Sequence, residues 1–157
     1  MCLENQMSVT LCRCLLLPLL AAGSALSAHA ADACSMLKPV DIAKVTGLSV
    51  GPGDPGKPIP GVESKCTWTG AEMTKVILTL ADTRHMQITI EAEQQTGGAA
   101  IPGLGTSAVG IKGAPFTGGG YIVSFLDAKG GVGVSILGKH GTPDKAIALA
   151  KFVASQR

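Results

Sequence analysis

The sequence predicts an α+β domain: an antiparallel sheet of four to five strands, helices packed on one face, and one disulfide. Three observations carry this. Apolar residues alternate over short segments arranged as hairpins, most clearly Tyr121–Leu126 and Val132–Leu137 around the glycine-containing loop Asp127–Gly131. Two stretches with helix start and stop signals flank the strands. After an amino-terminal export signal only two cysteines remain, Cys34 and Cys66, an even pair suited to an oxidising compartment.

The signal is read over residues 1–30. Arg13 supplies the positive charge, and Leu15–Leu17, Leu19–Ala22 and Ala25–Leu26 form the apolar run. Ala28-His29-Ala30 offers the small-x-small pattern that a signal peptidase accepts. Pro18 and Gly23 interrupt a run already short of the about 20 apolar residues that cross a bilayer, so no integral span is expected after cleavage. Glu4 precedes Met7, which leaves Met1 and Met7 both open as the start. Cys2, Cys12 and Cys14 leave with the signal. A lipid anchor at Cys34 is the alternative, but Ala31-Asp32-Ala33-Cys34 places an acid inside the small-residue box and lies beyond the apolar run. The expectation is a soluble exported protein, periplasmic or secreted, with residues 31–157 as one small domain.

Arg13 and Glu4 fall inside the signal, so of 13 basic and 11 acidic residues the exported part keeps 12 and 10. The charges are scattered, with no basic stripe and few aromatics for stacking, so nucleic acid is not expected as a partner. With 21 glycines and one tryptophan, the core must come from Val, Ile, Leu and Ala. A disulfide closing a ring of about 30 residues offsets part of the entropy cost, by roughly 3–4 kcal/mol.

In chain order, Pro39–Thr46 reads as a helix, with proline in the first turn, Gly47 as the stop, and Leu37, Val40, Ala43 and flanking Ile42 as its apolar face. Gly51–Pro60 holds four prolines and three glycines, which exclude helix and central strand and suggest an exposed loop within the disulfide ring. Lys65–Thr69 and Lys75–Ala81 read as strands around a turn at Gly70, with Trp68 as core beside the cystine. Thr83–Gln95 is ambiguous. Met86, Ile88, Ile90 and Ala92 alternate as in a strand but also form helical i,i+4 pairs, and the pattern alone leans to strand. Thr142 is a suitable N-cap for a helix through Ser155, with Ala146, Leu149, Ala150 and Val153 as its buried stripe.

Several of these segments resemble a domain-of-unknown-function family of small secreted bacterial proteins, many of them actinobacterial lipoproteins. Cys34-Ser-Met-Leu-Lys-Pro-Val-Asp-Ile-Ala-Lys-Val-Thr-Gly47 is similar to the family's opening cysteine and Leu-x-Pro helix. Cys66-Thr-Trp68 is similar to its Cys-x-Trp strand, and Gly103-Leu-Gly-Thr-Ser-Ala108 to its Gly-Leu-Gly segment. The departures are Lys38 in place of a capping threonine, Thr106 in place of aspartate, and the missing lipid-attachment box. The resemblance covers nearly all of the mature chain. It implies helix for Thr83–Gln95, pairs the two cysteines, and carries no activity.

Candidate chemistry is sparse. Gly51-Pro-Gly-Asp-Pro-Gly56 spells a dinucleotide fingerprint, but its prolines lack the N–H groups through which that fingerprint works. Gly103–Ala108 reads as a turn. His85 and His140 are far apart in sequence with no local acid or cysteine spacing, so no metal or other cofactor is expected. Ser107 and Ser135 would need one of those histidines within hydrogen-bond reach to act as nucleophiles. Cys34 and Cys66, 32 positions apart, read as structural rather than redox-active. The leading reading is a non-enzymatic interaction or binding module of the cell envelope, with an envelope protein or small ligand as partner. A Ser/His hydrolase and a small-ligand carrier are the alternatives. Candidate partner-binding residues are Pro52, Pro55, Pro58 and Pro60 in the stiff loop, and Phe116 and Tyr121 near the glycine-rich edge.

Overall fold

The computed structural model describes residues 32–157. The expected export signal, with Cys2, Cys12 and Cys14, lies outside the described residues. The described residues form one antiparallel sheet of seven strands, not four to five: β1 (Val50–Pro55), β2 (Val62–Gly70), β3 (Lys75–Ala81), β4 (Ala99–Ala100), β5 (Ser107–Lys112), β6 (Gly120–Asp127) and β7 (Gly130–Leu137). Their order is β1-β2-β3-β7-β6-β5-β4, two meanders joined where β3 pairs with β7. Four helices accompany the sheet: α1 (Ala33–Met36), α2 (Pro39–Thr46), α3 (Thr83–Gln95) and α4 (Pro143–Ser155).

The helices do not share one face. Val76, Leu78 and Leu80 of β3, Val123 and Phe125 of β6, and Val132, Val134 and Ile136 of β7 all turn into the main core with α1, α2 and α4. Strand alternation sends Ala81 and Val109 to the other side, where they meet Met86 and Ile90 of α3. The sheet is therefore covered on both sides around β6, and consecutive residues Val123, Ser124 and Phe125 are all buried.

Thr83–Gln95 is a helix, as the family resemblance implied and against the pattern reading. Of its apolar residues only the i,i+4 pair Met86 and Ile90 is buried, while Ile88 is exposed, so the helical periodicity is the one used. Its start is fixed by Asp82, whose Oδ1 accepts the His85 N–H at 2.7 Å. A Cβ at Gly131 would stand 2.2 Å from Met86 Cβ, so glycine there lets α3 lie close to β7. Near the far end of α3, Ser124 Oγ donates to Glu93 Oε1 at 3.0 Å. Burial pushes the Glu93 carboxyl above its ordinary value, and the Ser124 hydrogen bond opposes this.

In α2 the packed residues are Ile42, Val45 and Thr46, with Leu37 just before the helix; Val40 and Ala43 face solvent, contrary to the expected stripe. Asp41 Oδ2 accepts the Lys38 N–H at 3.1 Å, and Gly47 closes the helix at φ 71°. The α4 stripe of Ala146, Leu149, Ala150 and Val153 is buried as expected. Thr142 occupies the N-cap position of α4, but its side chain makes no cap hydrogen bond.

The Cys34–Cys66 disulfide is formed, with Cα atoms 5.1 Å apart, and staples α1 to the middle of β2. The proline- and glycine-rich stretch is only partly a loop. Its first half is the edge strand β1, irregular between Val50 and Gly53, which pairs with β2 from Gly70 to Cys66. Proline is tolerated there because an edge strand needs hydrogen bonds on one side only. Gly53 lies directly over the staple: a Cβ there would stand 2.6 Å from Cys66 Sγ and 2.8 Å from Trp68 Nε1.

Candidate binding surface

Helix α3 packs on its face of the sheet against Ala81 of β3, Val109 of β5 and Leu126 of β6 and beside Gly131 of β7, and leaves the rest of that face half-open. Cross-strand register places Ile77, Ser135, Ile122 and Ile111 side by side on that open face, all half-buried. The next row, Lys75 opposite Leu137, leads to one end of the sheet, where two irregular segments meet. One is the β2–β3 connection, a single 3-10 turn Ala71–Met73. The other is the β5–β6 connection, with a 3-10 turn Pro115–Thr117.

The β2–β3 turn is backbone-strained. Glu72 and Met73 adopt φ of 53° and 59°, a left-handed conformation that costs L-residues about 1–2 kcal/mol each. Gly70 N–H donates to Thr74 O at 2.8 Å across this turn. Its geometry aims Glu72 at the β7–α4 connection, where Glu72 Oε2 receives both Lys139 Nζ and His140 Nε2, the latter at 2.8 Å. The hydrogen bond from Lys139, then that from His140, hold the Glu72 carboxyl below its ordinary value. Met73 is left without cover, 84% exposed.

Phe116, in the facing turn, is 90% exposed. Between these two side chains runs an open groove of about 520 Å3, floored by Leu137 and Gly138 and rimmed by Lys75 and Lys139. The groove thus gathers two large apolar side chains in water with two ammonium groups, one of them already paired. Single exposed apolar residues are ordinary; here two of them converge on one concave surface.

The other anticipated residues are dispersed. Pro52, Pro55, Pro58 and Pro60 are all exposed along the β1 edge and the connection after it, and they line no part of the groove. Tyr121 is half-buried against the main core, on the other side of the sheet from the open face, so it does not join Phe116. His140 bonds Glu72, and the His85 ring lies against Gly61. Among the described residues neither histidine ring hydrogen-bonds to Ser107 or Ser135, and no three His, Cys, Asp or Glu side chains converge as metal ligands. No helix among the described residues is long and apolar enough to cross a membrane. Met73 and Glu72 were not singled out by sequence because Gly70-Ala-Glu-Met-Thr74 carries no glycine at the two left-handed positions.

No protein-family model, curated protein or solved structure matches this chain.

Proposed function

We propose that this protein is an exported, non-enzymatic binding module that holds its partner on the open sheet face ending in the Met73–Phe116 groove. The observation that carries this is the convergence of two almost fully exposed large apolar side chains on one concave surface. Covering each is worth about 1.5–3 kcal/mol, enough for the pair to dominate a small interface. The strained Glu72–Met73 turn supports the same reading, because the fold holds Met73 outward at an energetic cost and with no packing return. The Cys34–Cys66 staple fits an oxidising compartment. The order of the family-like segments, Cys34 on α1, Cys66-Thr-Trp68 on β2 and the Gly103–Gly105 turn before β5, supports keeping this chain with small secreted proteins of that kind.

The test is quantitative capture from the cell-envelope fraction by the tagged exported protein. A Met73→Ser/Phe116→Ser variant is compared with one whose Gly56–Pro60 segment is replaced by glycine and serine. The account expects the first to lose the captured partner and the second to keep it, both with cooperative unfolding like the parent. Loss only in the second moves the docking surface to the β1 edge.

A further inference from the structure

We infer that the groove takes a single-chain anionic amphiphile, a long-chain carboxylate, with its tail along the open sheet face and its head group at Lys75. This rests on the docking surface described above and names its occupant. The charge balance points to the head group. Glu72, the carboxylate at the groove, is occupied by Lys139 and His140. Lys75 forms no ion pair among the described residues, is exposed, and stands beside Leu137 in register. Its ammonium is therefore the charge left to be matched, and it lies at the boundary between water and apolar wall. An anion there gains a charge-assisted contact without displacing one already made.

The apolar surface points to the tail. From the groove, Met73, Phe116 and Leu137 give way to Ile77, and the register carries the row on across Ser135 of β7, its one polar member, to Ile122 and Ile111. Four neighbouring strands span about 14 Å at the usual strand spacing. That is an elongated strip open to solvent on one side, the shape of an acyl chain rather than of a compact ring. The groove volume of about 520 Å3 lies within the usual range of small-molecule sites, about 300–1,000 Å3. A second copy of this chain fits less well, since its own surface has a net positive charge and would bring Lys75 no anion by symmetry.

The test uses the full exported chain and displacement of a dansyl-labelled fatty carboxylate by laurate, lauryl alcohol and acetate, with laurate kept below its micellar concentration. Laurate is expected to compete best, lauryl alcohol less well, and acetate not at all. Lys75→Gln is expected to weaken laurate about three- to fivefold, the worth of one exposed charge contact, and to leave lauryl alcohol unchanged. Met73→Ser/Phe116→Ser is expected to weaken both. Trp68, buried in the main core on the other side of the sheet, reports integrity, and its emission is expected to stay constant. The inference is overturned if the parent shows no saturable binding, if the alcohol competes as well as the carboxylate, or if binding shifts Trp68 emission as in unfolding. Retention on phosphatidylglycerol vesicles without binding of monomeric laurate overturns it in favour of a bilayer surface. If no amphiphile binds while envelope capture still depends on Met73 and Phe116, the occupant is a protein; this inference then falls and the docking surface stands. If capture is also indifferent to those residues, both fall.

Discussion

Replacing Met73 with glycine separates the cost of the Glu72–Met73 turn from its proposed use in docking. Met73 sits at φ 59°, where an L-residue is strained by about 1–2 kcal/mol. Glycine removes that strain but adds roughly 0.5–1 kcal/mol of chain entropy lost on folding. The methionine side chain, 84% exposed, has almost no packing to lose. The net expectation is a gain of about 0.5–1 kcal/mol in unfolding free energy, obtained as the difference of those two costs. Urea denaturation of the parent and Met73→Gly, followed by Trp68 fluorescence, measures it as a higher midpoint at unchanged slope. The same variant is expected to lose partner capture, so that stability rises while binding falls. Glu72→Gly relieves a similar φ but breaks the contacts to Lys139 and His140, and is expected to gain less than Met73→Gly. A loss of more than about 1 kcal/mol in Met73→Gly would mean that the methionine packs in solution, and would refute the reasoning.

Three further outcomes follow from the fold. The Cys34→Ala/Cys66→Ala variant is expected to lose about 3–4 kcal/mol, the chain-entropy value for a 32-residue separation; a loss below about 1 kcal/mol in urea unfolding would show that the staple constrains little. Gly53→Ala is expected to cost roughly 1–3 kcal/mol by overpacking, since its Cβ would meet Cys66 Sγ and Trp68 Nε1, both held in the core; a neutral midpoint would contradict that contact. Burial raises the Glu93 carboxyl above its ordinary value of 4.5, so the folded state holds that proton more tightly than the unfolded chain. The stability it contributes is complete below that ordinary value and is lost as pH rises through the raised one. Glu93→Gln is accordingly expected to melt above the parent at neutral pH, with the difference closing as pH falls towards 4.5; a difference that widens on acidification would reverse the assignment.

What the sequence made legible was set by how regular each signal was. The β6–β7 hairpin, the α4 stripe and the β2–β3 pair are long and periodic, and they stand where the pattern placed them. Strands β1, β4 and β5 were not visible. Val50–Pro55 carries prolines that only an edge position accepts, Ala99–Ala100 is too short to show a period, and Ser107–Lys112 is buried on consecutive residues and interrupted by Gly110. Helix α3 defeated the pattern because Met86, Ile88, Ile90 and Ala92 serve both periods, and tertiary burial of Met86 and Ile90 alone decides between them. Its place on the opposite face from α4 follows from Ala81 and Val109 alternating away from the main core, a matter of register rather than composition. Phe116 was recognisable as a solvent-facing aromatic in a glycine-rich stretch. Its neighbour Met73 was not, since only the left-handed backbone of Glu72 and Met73 turns that side chain out.

Methionine oxidation tests the docking surface most directly. In the purified protein dilute peroxide should convert exposed Met73 to its sulfoxide well before Met86, which is 3% exposed on the sheet-facing side of α3 and serves as the internal reference. Adding increasing amounts of a cell-envelope fraction from the source cells, with peptide mapping of each methionine, should slow Met73 oxidation to a plateau and leave the relative rate at half-buried Met36 unchanged. An unaltered Met73 rate at the highest envelope load, while the fraction is still captured by the tagged protein, would show that the partner binds elsewhere and contradict the account.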